Sequence, residues 1–92
     1  SVSSKAAVTV SVSKEGRILQ KEEQAKERRR KNEIEKCEKE ISEIDEELSE
    51  IDSMLTKEEI YTDINKLTEL SNRKSELEQK QNELYEKWES LM

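Results

Sequence analysis

The chain has 92 residues, of which 43% are charged and 30% hydrophobic, with no His, Pro or Phe, one Gly and one Cys. That balance is the profile of long helices carrying narrow apolar stripes, and it excludes a large globular core. A lone Cys37 without any His also excludes an intramolecular disulfide and a structural zinc site.

The net charge of −6 is unevenly divided. Residues 1–40 hold 11 Lys or Arg against 8 Glu, whereas residues 41–92 hold 6 against 15 Asp or Glu. An acidic chain is a poor candidate for indiscriminate nucleic-acid binding, but the run "KERRRK", Lys26 to Lys31, offers a local basic surface for phosphate. No apolar run approaches the roughly 20 residues that span a bilayer. No basic-then-apolar signal segment opens the chain either, so the sequence predicts a soluble, cytoplasmic protein with no membrane partner. A first residue of Ser fits an excised or processed chain.

In chain order, residues 1–13, "SVSSKAAVTVSVS", come first. Val8, Val10 and Val12 alternate with Ser and Thr as in a strand, but no second strand-like segment follows to pair with them. Residues 1–19 are therefore expected to form a disordered linker, closed by Gly16 and the apolar pair Ile18 and Leu19. An all-α domain is expected over residues 20–92: a helix over about 20–55, a turn over about 55–57 and a second helix over about 57–91.

The first helix carries Ile34, Cys37, Ile41, Ile44, Leu48, Ile51 and Leu55 at alternating spacings of three and four, the a and d positions of a heptad. Such a stripe cannot be buried by one helix alone. In "TKEE" Thr56 is placed to accept from the Glu59 N–H while Glu59 reaches back, a capping box that would start the second helix. Ile60, Ile64, Leu67, Leu70, Leu77, Leu84, Trp88 and Leu91 then supply the partner stripe. Lys74 and Gln81 interrupt it, and two successive spacings of three at 64, 67 and 70 read as a stammer.

Folding at that turn predicts a monomeric antiparallel coiled-coil hairpin in which partner numbers add to about 115. Leu48 would meet Leu67, Ile44 Leu70, Cys37 Leu77 and Ile34 Gln81, with each helix about 50 Å long. Tyr85 would fall opposite Arg30 and Trp88 opposite Glu27. Two of the chain's three aromatic rings would then clasp the open end beneath Arg28 to Arg30, with Ile18 and Leu19 folded back onto them. The alternative use of these rings is an exposed docking site.

The runs "EIEKCEKEISEIDEELSEI", "LTKEEIYTD" and "ELYEKWESL", over residues 21–92, resemble the C-terminal domain of ABC-F ATP-binding cassette proteins, the Uup-like group. In that family a turn with a Tyr-x-Asp element joins two helices of an antiparallel coiled coil, and the second ends in Leu-Tyr-x-x-Trp-x-x-Leu. Here these are Glu59, Ile60, Tyr61 and Asp63, then Leu84, Tyr85, Trp88 and Leu91. The family commonly has Asp-Pro before the turn Glu, where this chain has Lys57 and Glu58. The resemblance implies ATPase domains in the same parent chain, with ATP and magnesium as their cofactors. None is expected in this segment.

Two functions follow as expectations. In the first, the segment is a non-catalytic accessory domain that contacts DNA or ribosomal RNA through Lys21, Lys26, Arg28, Arg29, Arg30 and Lys31. Binding would be driven by charge, because phosphate contacts alone read no sequence. In the second it is a structural spacer or protein-docking coiled coil. Catalysis ranks last, since no nucleophile–base pair and no Gly-rich phosphate loop is present. The acids Glu43, Asp45, Glu46, Glu47, Glu50 and Asp52 lack the spacing of a calcium loop and read as a solvated face.

Overall fold

The structure, a computed structural model, describes residues 14–92. Three helices follow one another: α1 (Val2–Leu55), α2 (Glu58–Tyr61) and α3 (Ile64–Leu91), and the described residues contain no strand. The all-α expectation holds. Of the linker expected over residues 1–19, residues 1–13 lie outside the described residues, while residues 14–19 are helical and continuous with the rest of α1. Gly16 does not stop the helix. One Gly costs about 1 kcal/mol relative to Ala, its φ is not positive, and no Pro stands near it.

The chain divides into two units, Ser1–Asn32 and Glu33–Met92. In the first, the side chains of residues 14–24 are exposed. The second holds the core. Ile34, Cys37, Ile41, Ile44, Ile51, Ile60 and Leu77 are buried, and Leu48, Leu55, Leu70 and Leu84 pack against the cluster of Ile44, Ile51 and Leu77. All seven a and d residues read from α1 thus face inward, each buried or half-buried.

The turn is longer than expected, and its capping chemistry differs. Thr56 does not cap. Its hydroxyl donates to the Ser53 carbonyl at 2.7 Å, and Lys57, which precedes α2, makes no side-chain cap bond. The second long helix begins at Ile64, where the Asp63 carboxylate accepts from the backbone N–H groups of Asn65 at 3.1 Å and Lys66 at 3.2 Å. These are donors that helix geometry leaves without intrahelical partners, so Asp63 is the N-cap. The one-turn α2 and the residues Thr62 and Asp63 fill the interval, and Ile60 of α2 is buried.

Six or seven additional turn residues shift the pairing by one heptad. Gln81 donates to the Ile41 carbonyl at 3.4 Å, and Trp88 donates through its indole N–H to Glu38 at 3.4 Å. Arg73 pairs with Glu47, Lys74 with Asp52 and Lys87 with Glu33. Numbers rise on α3 as they fall on α1, so α3 runs antiparallel to Glu33–Asp52. Seam partners add to about 122, as Gln81 and Ile41 do, in place of about 115.

Leu77 accordingly belongs to the cluster of Ile44 and Ile51 rather than facing Cys37. The stammer also disappears. Ile64 is 72% exposed and lies outside the seam, which starts at Leu67 and continues through 70, 74, 77, 81, 84, 88 and 91 in unbroken heptad spacing.

Candidate nucleic-acid interface

The six basic residues singled out from sequence, Lys21, Lys26, Arg28, Arg29, Arg30 and Lys31, all lie on α1 within the first unit. An α-helix places residues three and four apart on one face, so the run "KERRRK" is distributed around the axis rather than gathered on one side. The surrounding carboxylates sort it further.

Lys26 lies 3.7 Å from Glu23, both exposed. Arg30 makes a two-pronged pair with Glu27 through Nε and Nη2. The hydrogen bond from Arg30 holds the Glu27 carboxyl below its ordinary range, with the charges of Arg30 and Lys31 adding to it, and the same pair raises the Arg30 guanidinium. Lys26 and Arg30 are thus already engaged within their own helix.

Lys21 and Arg28 differ. Their neighbours at three and four residues are Arg17, Ile18, Gln24 and Ala25 for Lys21, and Gln24, Ala25, Lys31 and Asn32 for Arg28. None is a carboxylate. Arg29 has Glu33 four residues on, and Lys31 stands between Glu27 and Glu35 at the same spacing, so both lie at the margin of that face.

The face continues toward the N-terminus through Arg17 and Lys14, both exposed and likewise without an acid three or four residues away. Attention to the contiguous run misses these two residues, and helical phase is the signal that finds them.

The second unit has an opposite character. A groove between α1 and α3 is lined by Glu40, Glu43, Glu47 and Glu76, with Arg73 and Lys80 among them. Arg73 bridges it to Glu47 at 2.9 Å and 3.3 Å, which raises the guanidinium pKa. Among the described residues no group of three His, Cys, Asp or Glu is placed to hold a metal ion.

At the far end Trp88 is half-buried while Tyr85 is 44% exposed. The indole donates to Glu38, so it sits further along α1 than the expected position at Glu27.

Residues 25–92 match the family of ABC transporter C-terminal domains. The chain belongs to that family. The match takes in the basic run, the buried seam, the turn with its Asp63 cap and the terminal Leu84, Tyr85, Trp88 and Leu91. It therefore covers the segment whose motifs carried the resemblance seen in the sequence. No curated protein and no solved structure matches the chain. Among the described residues no helix is long and apolar enough to cross a membrane.

Proposed function

We propose that this C-terminal domain is a non-catalytic accessory arm of an ABC-F, Uup-like ATPase and that it contacts DNA or ribosomal RNA through the basic part of α1. In this reading α1 and α3 form a monomeric antiparallel coiled coil that carries the basic segment. ATP and magnesium belong to the ATPase domains of the parent chain, which works in the cytoplasm.

The observation that carries the proposal is the separation of charge. Lys21 and Arg28 have no carboxylate at helical contact spacing, whereas in the second unit Arg73, Lys74 and Lys87 each pair with an acid across the helix pair. Free guanidinium and ammonium groups on an exposed helix face bind phosphate by charge and release its counterions.

The test is fluorescence anisotropy of a labelled DNA duplex and a labelled RNA hairpin titrated with the chain at low salt. Binding that is lost when Lys21 and Arg28 are changed to Glu supports the proposal. Absence of binding to either nucleic acid overturns it and leaves the spacer or protein-docking role.

A further inference from the structure

The acid-free face of α1 has a regular geometry beyond its charge. Lys14, Arg17, Lys21 and Arg28 recur at spacings of three, four and seven, with Gln24 filling the intermediate position. All five are exposed. At 1.5 Å per residue the four cations form a line about 21 Å long, neighbours standing about 5 Å apart wherever they are three or four residues apart.

This arrangement has a local cost. Lys14 with Arg17, and Arg17 with Lys21, are like charges at contact spacing, and such pairs destabilise a helix. A face serving only solvation alternates its charges. Lys26 with Glu23 and Arg30 with Glu27 do so on the other side of the same helix.

Resting on the nucleic-acid reading above, we propose that Lys14, Arg17, Lys21 and Arg28 form a phosphate ladder that tracks the backbone of a nucleic-acid duplex. On this account Lys26 and Arg30 take no part in the contact.

A duplex suits this face better than a single strand for a chemical reason. Proteins that hold single strands without sequence preference combine a basic track with aromatic rings on which bases stack. Residues 14–31 contain no aromatic ring; the chain's three are Tyr61, Tyr85 and Trp88. A duplex presents its phosphates already ordered and needs no stacking platform. The ladder also begins 11 residues before the family match at residue 25, so Lys14, Arg17 and Lys21 extend the surface beyond the shared domain.

The experiment measures affinity for a 20-base-pair duplex and for a single strand of the same length across a salt series. Four chains are compared: wild type, Lys14→Gln with Arg17→Gln, Lys21→Gln with Arg28→Gln, and Lys57→Gln with Lys66→Gln. The last removes the same charge from two exposed lysines of the second unit, Lys57 in the turn and Lys66 at the start of α3. Four phosphate contacts give a logarithmic salt slope of about −4, or roughly a hundredfold loss of affinity between 50 and 200 mM. Either ladder pair should reduce that loss to about tenfold, while the Lys57 and Lys66 pair keeps the wild-type slope.

Equal slopes for the ladder variants and the Lys57 and Lys66 variant would overturn the ladder while leaving nucleic-acid binding in place. Single-strand binding as tight as duplex binding would overturn the choice of duplex. Failure of the wild-type chain to bind at all would overturn both this inference and the reading on which it rests.

Discussion

Gln81 donates its side-chain amide to the backbone carbonyl of Ile41, and through that contact a polar residue sets which heptad of α3 lies against which heptad of α1. The same amide donates to Asp45 one helical turn further on. Polar seam residues commonly specify register in this way at some expense of apolar burial.

The turn chemistry gives the first prediction. Asp63→Ala removes the acceptor for two otherwise unpartnered N–H groups and should cost about 1 kcal/mol. Thr56→Ala, which removes only a bond from the hydroxyl back to Ser53, should stay within about 0.5 kcal/mol of wild type. Urea denaturation of the two variants decides between this cap and the Thr56 capping box, which would reverse the order.

Packing gives the second. Leu77 is 3% exposed within the cluster of Ile44 and Ile51, so Leu77→Ala should destabilise by about 2–5 kcal/mol. Ile64 stands in solvent, and Ile64→Ala should change stability by less than about 0.5 kcal/mol. Comparable losses at the two sites would restore Ile64 to the seam and the stammer with it.

How much of this was visible in the sequence depends on the link of the chain considered. The inward face of α1 was legible, because seven apolar residues at alternating spacings of three and four have one helical solution. The register was not. It depends on how many residues the turn consumes, and both Thr56 and Asp63 are good cap residues by type. Only the folded backbone shows that Asp63 holds the helix start while Thr56 bonds backward. A cap at Thr56 forces Ile64 into the seam and displaces every cross-helix pair by a heptad, whereas the cap at Asp63 leaves Ile64 in solvent. The phase of the basic face is a different matter: "KERRRK" is conspicuous as text, whereas the helix sets Lys26 and Arg30 against Glu23 and Glu27 and aligns Lys21 and Arg28 with Arg17 and Lys14.

Lys74 gives the third prediction. It occupies a seam position between Leu70 and Leu77, and its ammonium lies 2.7 Å from Asp52, whose hydrogen bond and charge raise the lysine pKa. The pair is solvent-exposed, and exposed pairs contribute little and are screened by salt. Lys74→Leu should therefore raise the Tm by a few degrees, roughly what a modest gain in seam burial gives a domain of this size, and by more at 1 M salt. Calorimetry at two salt concentrations measures it. A fall in Tm that vanishes at high salt would show that the Asp52 pair outweighs apolar burial.

The fourth concerns pH. A hydrogen bond from Lys87, 3.0 Å away, holds the Glu33 carboxyl below its ordinary range. The folded state therefore binds a proton at Glu33 less readily than the unfolded state does. The resulting stability is full above the ordinary glutamate value of about 4.3 and is lost as pH falls through that value toward the lower folded one. The Tm advantage of wild type over Lys87→Gln should be present at pH 6 and gone near pH 3. An advantage unchanged across that range would mean that Lys87 acts through packing of its stem rather than through its charge.

The most direct test of the central claim, that one face of α1 meets phosphate, is an NMR titration of the arginine side-chain Nε–H signals with a nucleic-acid duplex. Arg17 and Arg28 should shift early and together, while Arg30, held by Glu27, and Arg73, held by Glu47, stay in place. Shifts at Arg30 or Arg73 with Arg17 and Arg28 unmoved would contradict the account and place the contact elsewhere on the domain.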